Sequence, residues 1–349
     1  MAAPLSAADR AQAFARLTRK QTTMLPPVAG AINSRVALDI PKVRLGQKLY
    51  LEVTATLNAI HATETSYAPA PFAPFSLIDH IKVSLNNGWH PVDLSGQALY
   101  FWNLINSDAV QLARAASGRG PVVQGVTSSV AGTDNQIKFL VEIPFMLNER
   151  DVIGLLMLQN QQTLVSINVD FADAAALNDG TAGFTYALSN IVITPMITTF
   201  SLPSDQSYWP DVSIIKITEE WLHDIAGAGN QSIKLPCGNM YRKLLVFIED
   251  AAGGEADTDI SGNLSLVLNS NDVFREVKPT ILAAENFKEY GGALPQGLYV
   301  FDFSDQGQPN YGGSRDYIDT EKLTAFDLRF TAAGAGKVTI VGEQLARLS

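Results

Sequence analysis

Cysteine and histidine are scarce in this sequence of 349 residues, and their scarcity excludes two classes of protein. The single cysteine, Cys237, has no partner in the chain, so a scaffold stapled by disulfides is impossible. Zinc sites built from four cysteines, or from two cysteines and two histidines, are excluded for the same reason. The four histidines are too scattered to form a spaced metal-binding set: His61, His80, His90 and His223. We expect no structural metal.

Long apolar runs are also missing. The longest one spans Val152 to Leu158 and contains Gly154, whereas a helix needs about 20 apolar residues to cross a bilayer. Residues 1–30 lack the apolar core of a signal peptide. The expectation is therefore a soluble protein without a targeting segment.

Motifs for catalysis are equally lacking. The sequence contains no Gly-x-Ser-x-Gly nucleophile elbow and no phosphate-binding loop. The segment from Asp257 onward imitates a calcium loop, but its twelfth position is Leu268 where a bidentate Glu is needed. We therefore predict no enzyme, cofactor or metal. A paired-carboxylate glycosidase stays open here, because its two residues need only be neighbours in space.

Charged residues make up only 17% of the chain, against about 25% in ordinary globular proteins. This low fraction predicts that part of the surface is covered by other protein. The net charge of −10 repels nucleic-acid phosphates, so no specific nucleic-acid partner is expected. The charge is also uneven: residues 1–44 carry seven Lys and Arg against two Asp, which leaves −15 for the rest.

The N-terminal segment has the pattern of a basic amphipathic helix. Ser6 and Asp9 form a capping box, and Ala7, Ala11, Phe14 and Leu17 follow at helical spacing. Its positive charge comes from Arg10, Arg16, Arg19 and Lys20. The prolines of Leu25-Pro26-Pro27 end the pattern, so we predict a helix or arm over residues 1–27.

Beyond the prolines the dominant hydrophobic period is two, which predicts strands. One helical interruption is predicted over about 94–117, with a break at 106–108. The segment 196–212, rich in Pro, Ser and Asp, is the predicted linker between two domains at 28–195 and 213–349.

The two predicted domains repeat each other. Four blocks recur in the same order, with sequence offsets that fall from 195 to 159. They are 40–53 with 235–248, 81–87 with 264–270, 150–153 with 315–318, and 164–171 with 323–330. Because a helical stretch follows the second block in both halves, the sequence predicts two copies of one β unit. The predicted fold is all-β: two tandem eight-stranded jelly rolls, with short helical insertions and the N-terminal amphipathic helix.

The duplication, the basic N-terminal helix and the segment Phe200–Asp211 together resemble the double jelly-roll major capsid proteins of the PRD1-like lineage, found in tailless phages with an internal membrane. The loop from Gly307 to Arg315 is similar to a loop of the larger eukaryotic-virus members, with two extra residues between Asn310 and Ser314. The resemblance implies homotrimers of pseudo-hexameric outline that tile an icosahedral virion shell. It also implies synthesis in the host cytoplasm, and neighbouring capsomers, vertex proteins and minor capsid proteins as partners.

The same resemblance implies that the N-terminal helix lies on the inner face of the shell, against a membrane or a neighbouring subunit. The residues expected there are Arg10, Phe14, Arg16, Leu17, Arg19 and Lys20. Two other functions stay open from the sequence: a carbohydrate-binding or carbohydrate-active β-sandwich, for which four tryptophans are available, and a minor vertex or receptor-binding virion protein.

Overall fold

The structure is a computed structural model of the chain, and it describes residues 7–65, 70–86, 88–106, 127–147, 152–160, 164–178, 183–253, 256–304 and 317–347. The chain divides into two compact units. The first comprises Met1–Leu104 and Val110–Ile215, and the second comprises Ile105–Ala109 and Lys216–Ser349.

The first unit is built mainly from strands, with one helix before them and one among them. Its helices are α1 (Ala7–Leu17) and α2 (Gly96–Asn106). Its strands are β1 (Lys20–Met24), β2 (Val28–Ala29), β3 (Arg35–Asp39), β4 (Leu45–Ile60), β5 (Ile78–Leu85), β6 (Trp89–Ser95), β7 (Thr133–Pro144), β8 (Leu156–Met157), β9 (Val165–Phe171) and β10 (Thr185–Phe200).

These strands form two antiparallel sheets, in the orders β1-β10-β4-β7 and β3-β9-β5-β6. If β1, β3, β4, β5, β6, β7, β9 and β10 are lettered B to I, the sheets have the orders B-I-D-G and C-H-E-F. These two orders define a jelly roll. The short strands β2 and β8 pair with β10 and β4.

The second unit repeats this arrangement. Its strands are β11 (Ile214–Ile225), β12 (Gly229–Leu235), β13 (Met240–Asp250), β14 (Leu264–Leu268), β15 (Asp272–Val277), β16 (Leu298–Asp302), β17 (Ile318–Asp319), β18 (Phe326–Ala332) and β19 (Gly336–Arg347). Its helix is α3 (Pro279–Tyr290). Within this unit the strand orders are β11-β19-β13-β16 and β12-β18-β14-β15, which are again B-I-D-G and C-H-E-F.

The predicted duplication and fold class are confirmed by this topology. The aligned blocks fall on equivalent strands: β4 and β13 at position D, β5 and β14 at E, and β9 and β18 at H. In both units a helix follows strand F and precedes strand G. The aligned Arg150 and Arg315 and the loop 307–315 lie outside the described residues.

Alternating hydrophobicity explains why the strands form sandwiches. In β4 the side chains of Leu49, Leu51 and Val53 are buried, while Lys48 and Glu52 on the other face are partly exposed. The second unit has an equivalent core between its sheets, to which Leu244, Val246 and other alternating residues contribute. Successive strand residues point to opposite faces, so this period places one face of each sheet in the core.

The bounds of the helices and strands differ from two of the predicted segment boundaries. The helix ends at Leu17, and the amide and the hydroxyl of Thr18 complete its last turn by donating to the carbonyl of Phe14. Residues 20–24, assigned to the helix or arm, form strand β1, which pairs with β10 from Lys20 opposite Phe200 to Met24 opposite Met196. Strand β10 in turn continues to Phe200, into the predicted linker. The predicted helix over 94–117 is α2 as far as Asn106, and the described residues resume at 127.

Candidate assembly surfaces

Phe14 fastens α1 to the first jelly roll. Its side chain is only 1% exposed and packs edge-to-face on Phe200, with 5.5 Å between ring centroids. The same cluster contains Leu45, Met146, Val152 and Leu155, with Leu202 and Val212 of the predicted linker packed against it. The Phe14 side chain is thus buried by its own chain, and the predicted contact of this helix with a membrane or a neighbouring subunit stays a prediction.

The other predicted contact residues stay near the surface. Leu17 is 55% exposed, Arg16, Arg19 and Lys20 are exposed, and Arg10 is half-buried. The backbone of this stretch is held in place: the amide of Arg19 donates to the hydroxyl of Ser201, and its carbonyl accepts from the Ser201 amide. The structure thus gathers a basic exposed stretch at residues 16–20 and separates Phe14 from it.

A second exposed apolar surface lies on the second jelly roll, at strand β15 and helix α3. Val273 and Phe274 on β15 are 52% and 47% exposed, and Ile281 and Phe287 on α3 are 50% and 57% exposed. Arg275 joins the two elements through an ion pair of 2.6 Å with Glu285. We call β15 and α3 together the F–G flank. The sequence did not single it out, because its apolar residues match those of an ordinary core stripe.

The inner side of α3 is locked to strand β16. The Asn286 side chain donates from Nδ2 to the carbonyl of Val300 and accepts at Oδ1 from the Val300 amide. It thus makes the two backbone hydrogen bonds that a neighbouring strand would make. Pro279 begins the helix, and Gly291 ends it in the left-handed conformation, at φ 69°. The exposed apolar residues are therefore presented by a firmly anchored helix.

Strand β16 also carries a buried carboxylate, that of Asp302. Its Oδ2 lies 3.0 Å from the Lys243 Nζ and accepts a hydrogen bond of 3.0 Å from the Tyr290 hydroxyl. The Ser304 amide and hydroxyl donate to Oδ1. Burial alone would raise the pKa of Asp302, but the Lys243 ammonium and the Ser304 donors outweigh burial and lower it.

A second buried carboxylate, Glu343, lies on β19 of the same sheet. The Arg242 guanidinium donates to its Oε1, and the Lys216 Nζ lies 3.7 Å from its Oε2. The Arg242 Nε also donates to the Tyr317 hydroxyl over 3.2 Å. All three charged side chains are at most 3% exposed. Sequence reasoning missed this cluster, although a charged pair at the start of an apolar strand was a visible signal.

The first unit has an ion pair equivalent to that of Lys243 and Asp302, but more exposed. Lys48 on strand D reaches Glu142 on strand G over 2.8 Å, and both side chains are partly exposed. Burial alone would lower the pKa of Lys48, but its hydrogen bonds to Glu142 and Tyr50 outweigh burial and raise it. Ion pairs between strands D and G thus occur in both copies.

The tryptophans available for binding a carbohydrate mostly pack against the protein's own residues. Trp102 is fully buried in α2, the Trp209 indole donates to the carbonyl of Pro203, and Trp221 packs against the core of the second unit. None of the four tryptophans, all of which the structure describes, is classed as exposed. They form no exposed aromatic platform.

An open cleft of about 560 Å³ in the first unit is lined by several carboxylates. Asp170 pairs with Arg35 at 2.6 Å, and Asp173 accepts from the Ala175 amide. Hydrogen bonds from these partners lower the pKa of both carboxyls. A glycosidase needs an acid whose pKa is raised, so these two groups have the opposite tuning.

No group of three or more His, Cys, Asp or Glu side chains in the described part of the chain is placed to hold a metal ion. Within those same ranges no helix is long and apolar enough to cross a membrane.

Comparison with known proteins finds similarity in structure alone. No protein-family model and no curated protein sequence matches the chain. The major capsid protein of Sulfolobus turreted icosahedral virus matches with a TM-score of 0.71 and 14% identity, over 94% of this chain and 97% of that one. The PBCV-1 virus capsid protein matches at 0.65 and 12%, over 94% and 93%. The major capsid protein of bacteriophage PM2 matches at 0.54 and 11%, over 95% and 98%.

Identities this low establish the fold and nothing further. The coverage is nonetheless informative, because each match extends over almost the whole of both chains. Those proteins therefore share the complete arrangement of two jelly rolls, and the similarity is not confined to one common sandwich.

Proposed function

We propose that this chain is a major capsid protein that self-assembles as homotrimers of pseudo-hexameric outline into an icosahedral virion shell. One observation carries the proposal: two jelly rolls of identical strand order follow each other in one chain, and this arrangement matches viral capsid proteins over 94% of its length. A single sandwich could serve many functions, whereas the tandem pair supplies two of six similar lobes from each chain. The role is structural, without catalysis or cofactor.

The surface chemistry supports assembly. The chain has few charges, and the F–G flank exposes Val273, Phe274, Ile281 and Phe287. The cores of protein interfaces are depleted in charge in the same way. We assign the protein to the virion, after synthesis in the host cytoplasm, and to the PRD1-like lineage of membrane-containing viruses. Vertex and minor capsid proteins are its further partners.

Size-exclusion chromatography with light scattering tests the trimer. The expected mass is three times 37.6 kDa, unchanged on dilution over the micromolar range. A folded monomer at the highest attainable concentration would contradict the proposal, as would a stable dimer, because neither provides six lobes.

We further propose that the exposed basic stretch at residues 16–20 faces the inside of the shell and meets anionic lipid headgroups. Arg16, Arg19 and Lys20 are exposed beside the half-exposed Leu17, whereas Phe14 is withheld by its own chain. Each basic residue near an anionic surface contributes about 1 kcal/mol. Contact through charge with one shallow apolar residue therefore fits this surface better than insertion of the helix.

Co-sedimentation with vesicles tests the lipid contact. Deleting residues 1–24 is unsuitable, since it removes strand β1. The better variant combines Arg16→Gln, Arg19→Gln and Lys20→Gln, which keeps the fold. Binding to vesicles with 30% phosphatidylserine should fall at least tenfold, while a control at two exposed lysines outside this stretch, Lys234→Gln with Lys322→Gln, should bind like the parent. Equal binding of parent and triple variant would disprove the contact and leave a neighbouring subunit as the alternative.

A further inference from the structure

The turn between strands β3 and β4 of the first jelly roll presents an apolar side chain between two cations. We call residues 41–44 the C–D turn, after the strand positions that it joins. Val43 is 50% exposed, Lys42 is exposed and Arg44 is partly exposed. The turn is tight, since the amide of Val43 donates to the carbonyl of Pro41 over 2.9 Å. An apolar tip flanked by cations suits a boundary between an apolar and an anionic environment.

Arg44 holds a backbone conformation that its residue type does not favour. Its φ is 62°, in the left-handed region where the Cβ of most residues crowds the backbone and where glycine and asparagine are preferred. The Arg44 carbonyl accepts a hydrogen bond of 3.0 Å from the Gln159 amide, so the backbone is held there. A glycine would fit this turn better, and the fold therefore does not account for the arginine side chain. Such strain in a residue other than glycine is typical of a functional position.

The equivalent turn of the second jelly roll lacks these features. The repeat aligns residues 40–44, Ile-Pro-Lys-Val-Arg, with residues 235–239, Leu-Pro-Cys-Gly-Asn. The second turn is uncharged, and its left-handed residue is Gly238, at φ 113°. A jelly roll can therefore join strands C and D without the cations and without the exposed valine. Those residues belong to a task that only the first unit has.

The pairing register brings the C–D turn close to the exposed basic stretch of the same unit. Lys20 on β1 lies opposite Phe200 on β10, and Phe200 lies opposite Leu45 on β4. Neighbouring strands are about 4.8 Å apart, so the backbones of Lys20 and Leu45 are about 10 Å apart at one end of the sheet. Arg44 directly precedes Leu45. The turn therefore extends the basic stretch along this end of the sheet.

The combined surface is basic and carries two apolar side chains. Leu17 and Val43 are each about half exposed. Exposed carboxylates also occur nearby: Asp39 ends β3, and Asp205 precedes the short turn at residues 206–208 that α1 contacts. They are outnumbered by the cations of the surface, which are Arg16, Arg19, Lys20, Lys42 and Arg44. The surface therefore attracts anions and also offers apolar groups.

We infer that the C–D turn is a second contact with a lipid membrane: Val43 enters the headgroup region of an anionic bilayer, and Lys42 and Arg44 meet its phosphates. The contact extends the one proposed for residues 16–20 and, like it, rests on the proposed function. Nucleic acid also carries phosphates, but it offers no apolar layer for Val43 and Leu17. The interface of an anionic bilayer offers both.

Co-sedimentation of the full-length protein with vesicles tests the contribution of the cations. The variant combines Lys42→Gln with Arg44→Gly, and the glycine relieves the left-handed backbone, so stability towards urea should not fall. Binding to vesicles with 30% phosphatidylserine should fall at least tenfold, because two basic residues leave the surface. The matched control removes two exposed lysines elsewhere, by Lys234→Gln with Lys322→Gln, and should bind like the parent.

A fluorescent label tests the position of Val43 itself. An environment-sensitive dye is attached to Val43→Cys in a Cys237→Ser background. In the parent the same dye is attached to the exposed Cys237, which lies at the equivalent turn of the second unit. Emission from residue 43 should shift to shorter wavelength on vesicles with 30% phosphatidylserine and stay unchanged on vesicles of phosphatidylcholine alone. Emission from Cys237 should not shift on either.

Unchanged vesicle binding of the Lys42 and Arg44 variant, or an unshifted dye at residue 43, would overturn the contact through the turn. Equal shifts at residue 43 and Cys237 would also contradict it. Loss of binding in the Arg16, Arg19 and Lys20 variant would then leave the first lipid contact standing. A parent that binds DNA but not these vesicles would overturn both contacts. Light scattering tests the trimer separately: a monomer would overturn the proposed function and this inference with it.

Discussion

The two jelly rolls have the same strand order but differ in how far their ion-paired side chains are buried. In the first, the ion pair between strands D and G joins Lys48 and Glu142, which are partly exposed. In the second, Lys243 and Asp302 on the equivalent strands are at most 3% exposed and lie on the same sheet as the buried Lys216, Arg242 and Glu343. Duplication has thus kept the topology while the environment of the sheet has changed.

This contrast indicates that the burial of an ion pair decides how much stability is lost when one of its charged side chains is removed. A partly exposed pair can be lost at little cost, because water replaces the missing partner. A buried pair cannot, because removing one partner leaves the other charge without a counter-ion in a medium that solvates it poorly. We expect mutations at equivalent strands to have unequal effects in the two units.

The largest expected effect belongs to Glu343. Glu343→Ala leaves Arg242 and Lys216 buried without their carboxylate, which should lower the free energy of unfolding by about 3–5 kcal/mol. Glu142→Ala, at the partly exposed carboxylate of the first unit's ion pair between strands D and G, should cost less than about 1 kcal/mol. Urea denaturation at one fixed protein concentration measures both, and equal losses would remove the distinction between the units.

Next in size is Phe14, which anchors an element that only the first unit has. Phe14→Ala should cost about 3 kcal/mol and release α1, since the side chain is fully buried against Phe200. Hydrogen exchange should show loss of protection at residues 7–17 with the strands unaffected. Leu17→Ala, at a half-exposed position in the same helix, is the control and should leave protection unchanged. Retained protection in the Phe14 variant would show that other contacts hold α1.

The third effect is a dependence of stability on pH, which should be stronger in the second unit. A carboxyl whose pKa is lowered in the folded state contributes stability that is complete above its unfolded value, near pH 4, and is lost as the pH falls towards the folded pKa. This applies to Asp302 and to Asp170. Asp302→Asn should flatten the fall in stability between pH 5 and 2 more than Asp170→Asn does. The reverse order would contradict the assignment of the stronger coupling to the buried site.

The smallest expected effect is that of Lys48→Met. This variant removes the cation of the first unit's pair but keeps most of the volume of its stem, and Glu142 remains partly solvated. The midpoint of thermal unfolding should move by no more than about 1.5 °C, which corresponds to about 1 kcal/mol in a chain of 349 residues. Lys243→Met, the equivalent change at the buried pair, should lower it several times further.

Much of the fold could be predicted from the sequence because the signals were local and repeated. Alternating runs such as the one that begins at Lys48 identify strands by themselves, and the ordered blocks of the two halves indicate one unit used twice. The position of the helix between strands F and G also followed from the pattern. These features depend on periodicity, which each segment carries independently of its neighbours.

The structure differs from the predictions where a contact between residues far apart in sequence determines the local conformation. Residues 20–24 are mostly polar and continue a helical pattern, yet they form strand B because they pair with the edge of β10. Phe14 was predicted to contact a membrane or a neighbouring subunit, but in the structure it packs against Phe200, which is far away in sequence. The charged pair Arg242 and Lys243 begins an apolar strand, but its carboxylate partners, Glu343 and Asp302, lie far away in sequence. A single sequence cannot indicate such contacts, because they depend on the tertiary arrangement.

The central claim is that the tandem jelly rolls provide two of the six lobes of a capsomer. Negative-stain electron microscopy of the purified full-length protein tests it most directly. We expect class averages with six lobes around a threefold axis, from particles whose mass is that of three chains. Averages that show isolated two-lobed particles at the highest concentration imaged would contradict it.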